Sequence, residues 1–315
     1  MISFNSLYSN CQTLSKNTGS TVLTLFKDLI NDTQNTILGM EEWWFSEITG
    51  TRTTVDGTAN YRLPAKMRNV ESVIVTVGSN IYRPKPIEDP GYWNYLQSLL
   101  YAESDVPQYY FRQGNYVYLW PTPATTGSTI TFRGNKRMYN MARADYNTGT
   151  ITTLANAGTT ITGSGSTWNT TNVGTHIRIN RTAGDYEWYE ISSITDTTHL
   201  ELVMPYEGTA IAAGSATYTI GEFSIIPSEY HSALMWRPLA LYYTQNEDDE
   251  QRSRMFWMQY DGGYEAGLSR VPGGLVGKML READERNSGV QVDNLKAGFV
   301  DVNNNPQSIN SLGTW

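Results

Sequence analysis

The sequence predicts an α+β protein: a helical bundle from N- and C-terminal helices packed with a small β-core, plus an inserted all-β barrel or sandwich domain and an extended C-terminal arm. Three observations predict it. Apolar residues recur at helical spacing only near the two ends of the chain, over 17–48 and again from Pro227 to Tyr264. Between those ends, short β-branched and aromatic runs are separated by Gly, Pro, Asn and Ser, without the long intervening helices that a parallel βαβ sheet requires. From about Ala144 to Gly221 the composition turns to Thr, Gly, Ser and Asn, with strands at the even spacing of a barrel or sandwich. A chain of 315 residues has room for two or three such units, because domains run to roughly 100–150 residues. The divisions are an N-terminal helical segment (1–50), a β-rich core with a short helix (51–143), an inserted all-β domain (144–222), C-terminal helices packing with the N-terminal one (223–271) and the arm (272–315).

In the first segment one long helix is expected over 17–48, capped by Asn17, Thr18 or Ser20, with Leu23, Phe26, Ile30, Ile37, Met40 and Trp44 on one stripe and a polar break at Thr33. It ends in Trp43-Trp44-Phe45, which is apolar all round and more than one helix face can bury. In the β-core, Val70, Val73, Val75 and Val77 form a run closed by Gly78-Ser79-Asn80, and Ile130 and Phe132 mark another. Asp89-Pro90 begins a short helix reaching Leu100. Between Pro107 and Pro123, Tyr109-Tyr110-Phe111 and Tyr116-Val117-Tyr118-Leu119-Trp120 flank the turn Gln113-Gly114-Asn115, which reads as a hairpin bracketed by prolines that cannot donate to a ladder.

Strands in the 144–222 segment are expected at 150–153, 159–163, 176–180, 187–194, 199–202 and 216–220. As an insertion, its two ends should lie close together. Helices resume at Pro227, with Tyr230, Leu234, Leu241 and Tyr242 near one face, a kink or pause at Pro238, and a second helix opened by Asn246-Glu247-Asp248-Asp249. Those helices and the N-terminal one make a three-helix packing unit. Past Pro272-Gly273-Gly274, scattered Val290, Val292, Leu295, Phe299, Val300, Ile309, Leu312 and Trp315 among Asn, Gly and Ser cannot bury themselves alone.

Composition narrows function further. A net charge of −8 argues against a sequence-independent grip on nucleic acid, which needs clustered Lys and Arg. An aromatic share of 12%, with 21 Tyr and 9 Trp, favours β-surfaces and protein interfaces. The single cysteine, Cys11, fits a reducing compartment and reads as a bland or buried thiol. The start carries no signal-peptide pattern and no run of about 18 apolar residues exists, so a cytoplasmic protein without a membrane span is expected.

Chemistry-bearing motifs are sparse. His176, His199 and His231 sit in different predicted elements and read as satisfied or surface histidines, His231 beside Glu229 as helix-start electrostatics. Asp301-Val302-Asn303-Asn304-Asn305 imitates the start of a calcium loop but has Pro306 where glycine is required and Leu312 where a bidentate Glu belongs. Gly163-Ser164-Gly165 and Gly273-Gly274 through Lys278 lack the residues of a phosphate cradle. Glu187 and Glu190 fall on opposite strand faces and cannot act as a glycosidase pair by themselves. The acid run at 247–250 reads as a solvated helix start, with an acidic surface facing DNA as its functional alternative. No catalytic residue, metal site or cofactor is expected, and the protein is read as a non-enzyme.

In order and spacing, several segments together resemble the head-to-tail adaptor (connector, head-completion) proteins of tailed bacteriophages. They are the helix ending in Trp43, Trp44 and Phe45; Tyr61-x-Leu63-Pro64; the run Val70 to Val77; Trp93-x-x-Leu96; Pro107-x-Tyr109-Tyr110-Phe111 through Leu119-x-Pro121-x-Pro123; and Ile226-Pro227-x-Glu229-Tyr230-His231-x-Ala233-Leu234. The resemblance covers about 1–142 and 223–270; residues 144–221 depart from it. It implies a structural virion protein at the head-tail junction, assembled in the host cytoplasm as a homo-oligomeric ring, a dodecamer matching the portal. Its partners would be the portal protein and tail or nozzle proteins, with DNA passing through the channel without sequence-specific binding. Leu295, Phe299, Ile309, Leu312 and Trp315 are then candidate portal contacts in the arm, and Trp43, Trp44, Tyr110 and Trp120 candidate subunit-interface aromatics. The alternative is a receptor- or glycan-binding virion protein acting through 144–222, with Trp168, Trp188 and Tyr189 as stacking residues. A wall-degrading enzyme ranks third.

Overall fold

The computed structural model describes residues 1–99, 106–137, 139–180, 183–212, 214–245, 247, 249–262 and 274–287. Within them the chain is mixed α+β, with six helices and fourteen strands in three sheets. Helices α1 (Phe4–Ser15) and α2 (Ser20–Met40) come first. Strands β1 (Glu47–Thr53), β2 (Asn60–Arg62), β3 (Ser72–Val77), β4 (Asn80–Tyr82) and β5 (Lys85–Ile87) precede α3 (Pro90–Ser98). Then follow β6 (Tyr109–Gln113), β7 (Tyr116–Trp120), β8 (Thr129–Asn135), β9 (Thr150–Leu154), β10 (Thr160–Ser164), β11 (His176–Ile179), β12 (Trp188–Asp196), β13 (His199–Leu202) and β14 (Tyr218–Gly221). Helices α4 (Ala233–Gln245), α5 (Glu250–Asp261) and α6 (Gly274–Asn287) are last among the described residues. Two compact units result, one of Glu42–Tyr139 and one of Met1–Glu41 with the chain from Asn140 onward.

In the Glu42–Tyr139 unit two four-stranded sheets, ordered β1-β8-β3-β4 and β2-β7-β6-β5, enclose one core. Every pairing is antiparallel except β5 with β6. Strand alternation sends Val73, Val75, Ile130 and Phe132 inward from the first sheet to meet Tyr61, Tyr110, Val117 and Leu119 from the second. The hairpin forms as its sequence predicts, Gln113 pairing with Tyr116 across a turn in which Gly114 takes a left-handed φ of 58°. Helix α3 also forms where expected: Asp89 caps it by accepting from the amides of Gly91 and Tyr92, and it buries Trp93 and Leu96.

The other unit departs more from expectation. The single helix expected over 17–48 forms only over 20–40, as α2, with Trp44–Ser46 in a separate 3₁₀ turn; α1 precedes it as an additional helix, and Lys16, left-handed at φ 55°, ends α1. Ser, Asn and Thr in α1 each cost about half a kcal/mol of helix propensity relative to Ala. Full burial of Phe4, Leu7 and Cys11, with Tyr8 nearly so, contributes roughly 1.5–3 kcal/mol for each large apolar side chain and overrides that cost. Thr33, the polar break in the α2 stripe, is buried with its hydroxyl donating to the Leu29 carbonyl at 2.7 Å. Gly274–Asn287, where extended chain is expected, is helix α6; it buries Val276, Met279 and Ala283 on one face of an otherwise charged segment. Pro238 lies inside α4, which continues through it because Leu234, Leu239, Tyr242 and Tyr243 are buried on either side.

Residues 150–221 form the third sheet, ordered β14-β11-β12-β13-β10-β9. Bridges Ile151 to Ala216, Leu154 to Ile211 and Tyr146 to Ile220 join its outer strands, which curls it around a core of its own. Tyr146 and Ile220 exchange backbone hydrogen bonds of 2.8 and 2.7 Å, so the start and end of this segment lie side by side.

Candidate functional site

The three histidines sit in three different settings. His231 is fully buried, accepting from the Ile2 amide at Nδ1 (3.0 Å) and donating from Nε2 to the Ile226 carbonyl (2.8 Å); it is a core residue, which replaces the helix-start reading. His199 sits at the β12–β13 turn, its Nδ1 2.9 Å from Asp196. Thr198 donates to the same carboxylate through its amide and hydroxyl, and these bonds, ahead of His199, hold the Asp196 pKa down at about 2. His176, half-buried on β11, packs edge-on against Phe223 with ring centres 5.0 Å apart. Among the described residues no group of three or more His, Cys, Asp or Glu could hold a metal ion, and no helix is long and apolar enough to cross a membrane.

The acid run has structural uses. Asp249 caps α5 by accepting from the Arg252 amide, Glu250 pairs with Arg254 at 3.5 Å, and Glu247 accepts from the Tyr242 hydroxyl at 2.6 Å. Asp248 lies outside the described residues. Cys11 is fully buried, and burial raises its thiol pKa to about 12, so it is no nucleophile at neutral pH.

Surfaces remain as the functional material. The β6–β7 hairpin sorts its aromatics by face: Tyr110 points into the core with Val117 and Leu119, while Tyr109, Phe111, Tyr116, Tyr118 and Trp120 share the other face. Helix α3 covers part of that face, Trp93 stacking on Phe111 at 5.4 Å and meeting Tyr118 edge-on at 6.4 Å. Trp120 is half-buried against Tyr109, ring centres 6.0 Å apart, and its indole N–H finds no acceptor among the described residues. Trp43 is buried and stacks on Phe45 at 5.5 Å, with half-buried Trp44 edge-on to both. Of the four aromatics expected at a subunit interface, Trp43 and Tyr110 are therefore spent within their own unit, and Trp44 and Trp120 keep part of their surface. The arm candidates Leu295, Phe299, Ile309, Leu312 and Trp315, and the calcium-like segment 301–305, lie outside the described residues.

Sequence reasoning missed Tyr92 and Tyr95 of α3, which are 45% and 58% exposed and stack on each other at 6.2 Å. Their signal was present: they sit three apart on α3, on a face beside the one that carries Trp93 and Leu96. It also missed two adjoining grooves on the β1-β8-β3 side, of about 470 and 390 Å³, which share Glu71, Ser72 and Arg133. Burial, and then Glu42 and Glu47, raise the Glu71 pKa, against a 2.6 Å hydrogen bond from Asn135.

In the 150–221 sheet, Trp168 is 1% exposed and its indole donates to the Tyr218 hydroxyl at 2.9 Å. Tyr189 packs edge-on to Tyr206 and donates to Asp185. Trp188 is half-buried, edge-on to Phe223 with ring centres 4.6 Å apart and 4.4 Å from the Arg178 guanidinium, which also lies 4.1 Å from the Tyr186 ring. The three proposed stacking residues thus do not form one open aromatic platform.

A family model described as SU10 adaptor protein matches residues 11–275, which takes in both helical ends, the hairpin unit and the curled sheet. No curated protein matches the chain.

Proposed function

The chain belongs to the SU10 adaptor protein family, phage structural proteins of the head-tail junction, and from that premise we propose a ring that docks beneath the portal. In this reading a homododecamer extends the DNA channel and offers tail or nozzle proteins a platform. The match over 11–275 carries the reading. Its support from physical chemistry is the net charge of −8, compatible with DNA sliding past, and aromatic surface left on Trp44, Trp120, Tyr92 and Tyr95 for neighbours. The arm, with Leu295, Phe299, Ile309, Leu312 and Trp315, would reach the portal.

Mass measurement and negative-stain imaging of the purified chain with portal test this. A ring on the portal is expected, and a protein that stays monomeric and ignores the portal would sink the reading. Removing 288–315 leaves α6 intact and should weaken portal docking while hydrogen-exchange protection of α4 and α5 stays unchanged. Nothing in the surroundings of Trp168, Trp188 or Tyr189 favours the glycan-binding alternative.

A further inference from the structure

Three consecutive residues near the start of the chain are tied to three separate segments. The Ile2 amide donates to His231 Nδ1 at 3.0 Å, the Ser3 hydroxyl to Asp145 Oδ2 at 3.0 Å, and the Phe4 amide to the Glu222 carbonyl at 2.8 Å. Glu222 in turn accepts from the Ala142 and Arg143 amides at 2.8 Å each. The strap therefore crosses the point where the curled sheet meets the helices. Ser3 also caps α1, accepting from the Ser6 amide, and Ser3 and Phe4 are 3% and 0% exposed.

His231 fixes one end of this strap with both ring nitrogens. The carbonyl of Ile226 can only accept, so Nε2 carries the proton; the Ile2 amide can only donate, so Nδ1 must be bare. We propose that His231 is a proton-operated latch: protonation at Nδ1 sets two donors against each other in a buried site and releases the strap from Ile2 onward. The ring contains no spare acceptor to take over, and water does not reach it without an opening of the strap.

Charges around the latch set its direction. Burial is the largest influence and holds His231 below its ordinary pKa, and the Met1 amine works the same way, while the bond to Ile226 and the Glu229 carboxylate oppose it; the Ile2 amide, donating to bare Nδ1, favours the neutral ring. Phe223, 6.3 Å away, separates the ring from His176. Asp145 and Glu222 face the strap at its next two residues, and Arg178 acts on Asp145. A base with a lowered folded pKa contributes stability that is fully present above about pH 6.5, its unfolded value, and is lost as pH falls through the folded one. Asp145 has the opposite sign: burial raises its pKa, so its own protonation relieves a buried charge and does not drive release.

Hydrogen exchange read by mass spectrometry on the full chain tests the latch. After correction for intrinsic rates, amides of a peptide covering residues 2–8 should lose at least about tenfold protection between pH 7.5 and 5, while peptides from α4 and β10–β13 hold theirs. Exchange at the His231 ring C–H, measured in parallel, should titrate in step with that loss. The variant His231→Gln offers a donor for Ile226 and an acceptor for Ile2 but takes up no proton, so its strap should lose no protection between the two pH values. Strap protection that persists at pH 5 while His231 titrates would overturn the proposal, as would loss of protection in step with the whole chain. Wild-type measurements alone decide the matter if the variant does not fold.

Discussion

Replacing Trp168 separates a core role from a binding role in the curled sheet. The side chain is 1% exposed, meets Tyr218 edge-on at 5.7 Å and donates to its hydroxyl at 2.9 Å, and that hydroxyl donates onward to the Thr148 carbonyl. Gly163 lies so close that a Cβ there would come within 2.6 Å of the indole. With surroundings this tight, Trp168→Ala leaves a cavity that cannot collapse fully and should cost about 3–5 kcal/mol. Trp168→Phe removes the indole donor and one ring, and should cost about 1–2 kcal/mol, roughly half of it the hydrogen bond. In exchange units the alanine variant should open the β10–β13 peptides about 150-fold or more above wild type, since each 1.4 kcal/mol is tenfold. Hydrogen exchange of those peptides in the full chain is the assay, with α4 as internal reference. If Trp168→Ala left β10–β13 exchange unchanged and abolished binding to a host-surface glycan, the core assignment would be refuted.

Three further outcomes follow from the same kind of reading. Cys11, fully buried with its thiol pKa raised to about 12, should resist a thiol reagent at pH 8 in the native chain and react with one equivalent in denaturant. Asn31 accepts from and donates to the Met141 backbone at 2.8 and 2.9 Å while buried; Asn31→Ala strands both groups and should lower stability in a urea titration by about 2–4 kcal/mol. Gly134→Ala would place a Cβ 2.1 Å from the Asn69 carbonyl, so the Glu42–Tyr139 unit should lose on the order of 2 kcal/mol or more, seen as faster exchange in β3 and β8.

How much of this was legible in the residues depends on whether a signal was local. Strand alternation with turn residues placed β6, β7, β9 to β13 and α3 near their observed bounds, because period two and a proline-started helix are written in neighbouring residues. Helix α1 was illegible: Phe4, Leu7, Tyr8 and Cys11 have helical spacing, but the intervening Ser, Asn and Thr argue for a turn, and burial against the rest of the chain decides the contest. Helix α6 was missed for the same reason, its apolar face being only Val276, Met279 and Ala283 within a charged segment. His231 could not be read at all, since its two partners lie 229 and 5 residues away and only the fold brings Ile2 to it.

The aromatic surplus needs the most revision. Counted from composition, it points to interfaces; placed in the fold, much of it is consumed indoors, with Trp43, Trp93, Trp168, Tyr206, Tyr218, Tyr242, Tyr243 and Tyr260 all buried. A small core pays little entropy for each large stiff ring, so aromatics serve folding and association equally well, and a count cannot divide them. Exposure can. Tyr92, Tyr95, Tyr116, Tyr139 and Tyr186 are each at least 37% exposed, and Tyr92, Tyr95 and Tyr116 sit on α3 and the hairpin strand β7 within one compact unit. An interface built on aromatics would therefore draw on α3 and the outer hairpin face ahead of Trp43 and Tyr110. If the proposed ring uses that face, truncating Tyr92 and Tyr95 to alanine should weaken its assembly while barely moving stability, whereas truncating Tyr110 should do the reverse. Sedimentation of the three variants would reveal which.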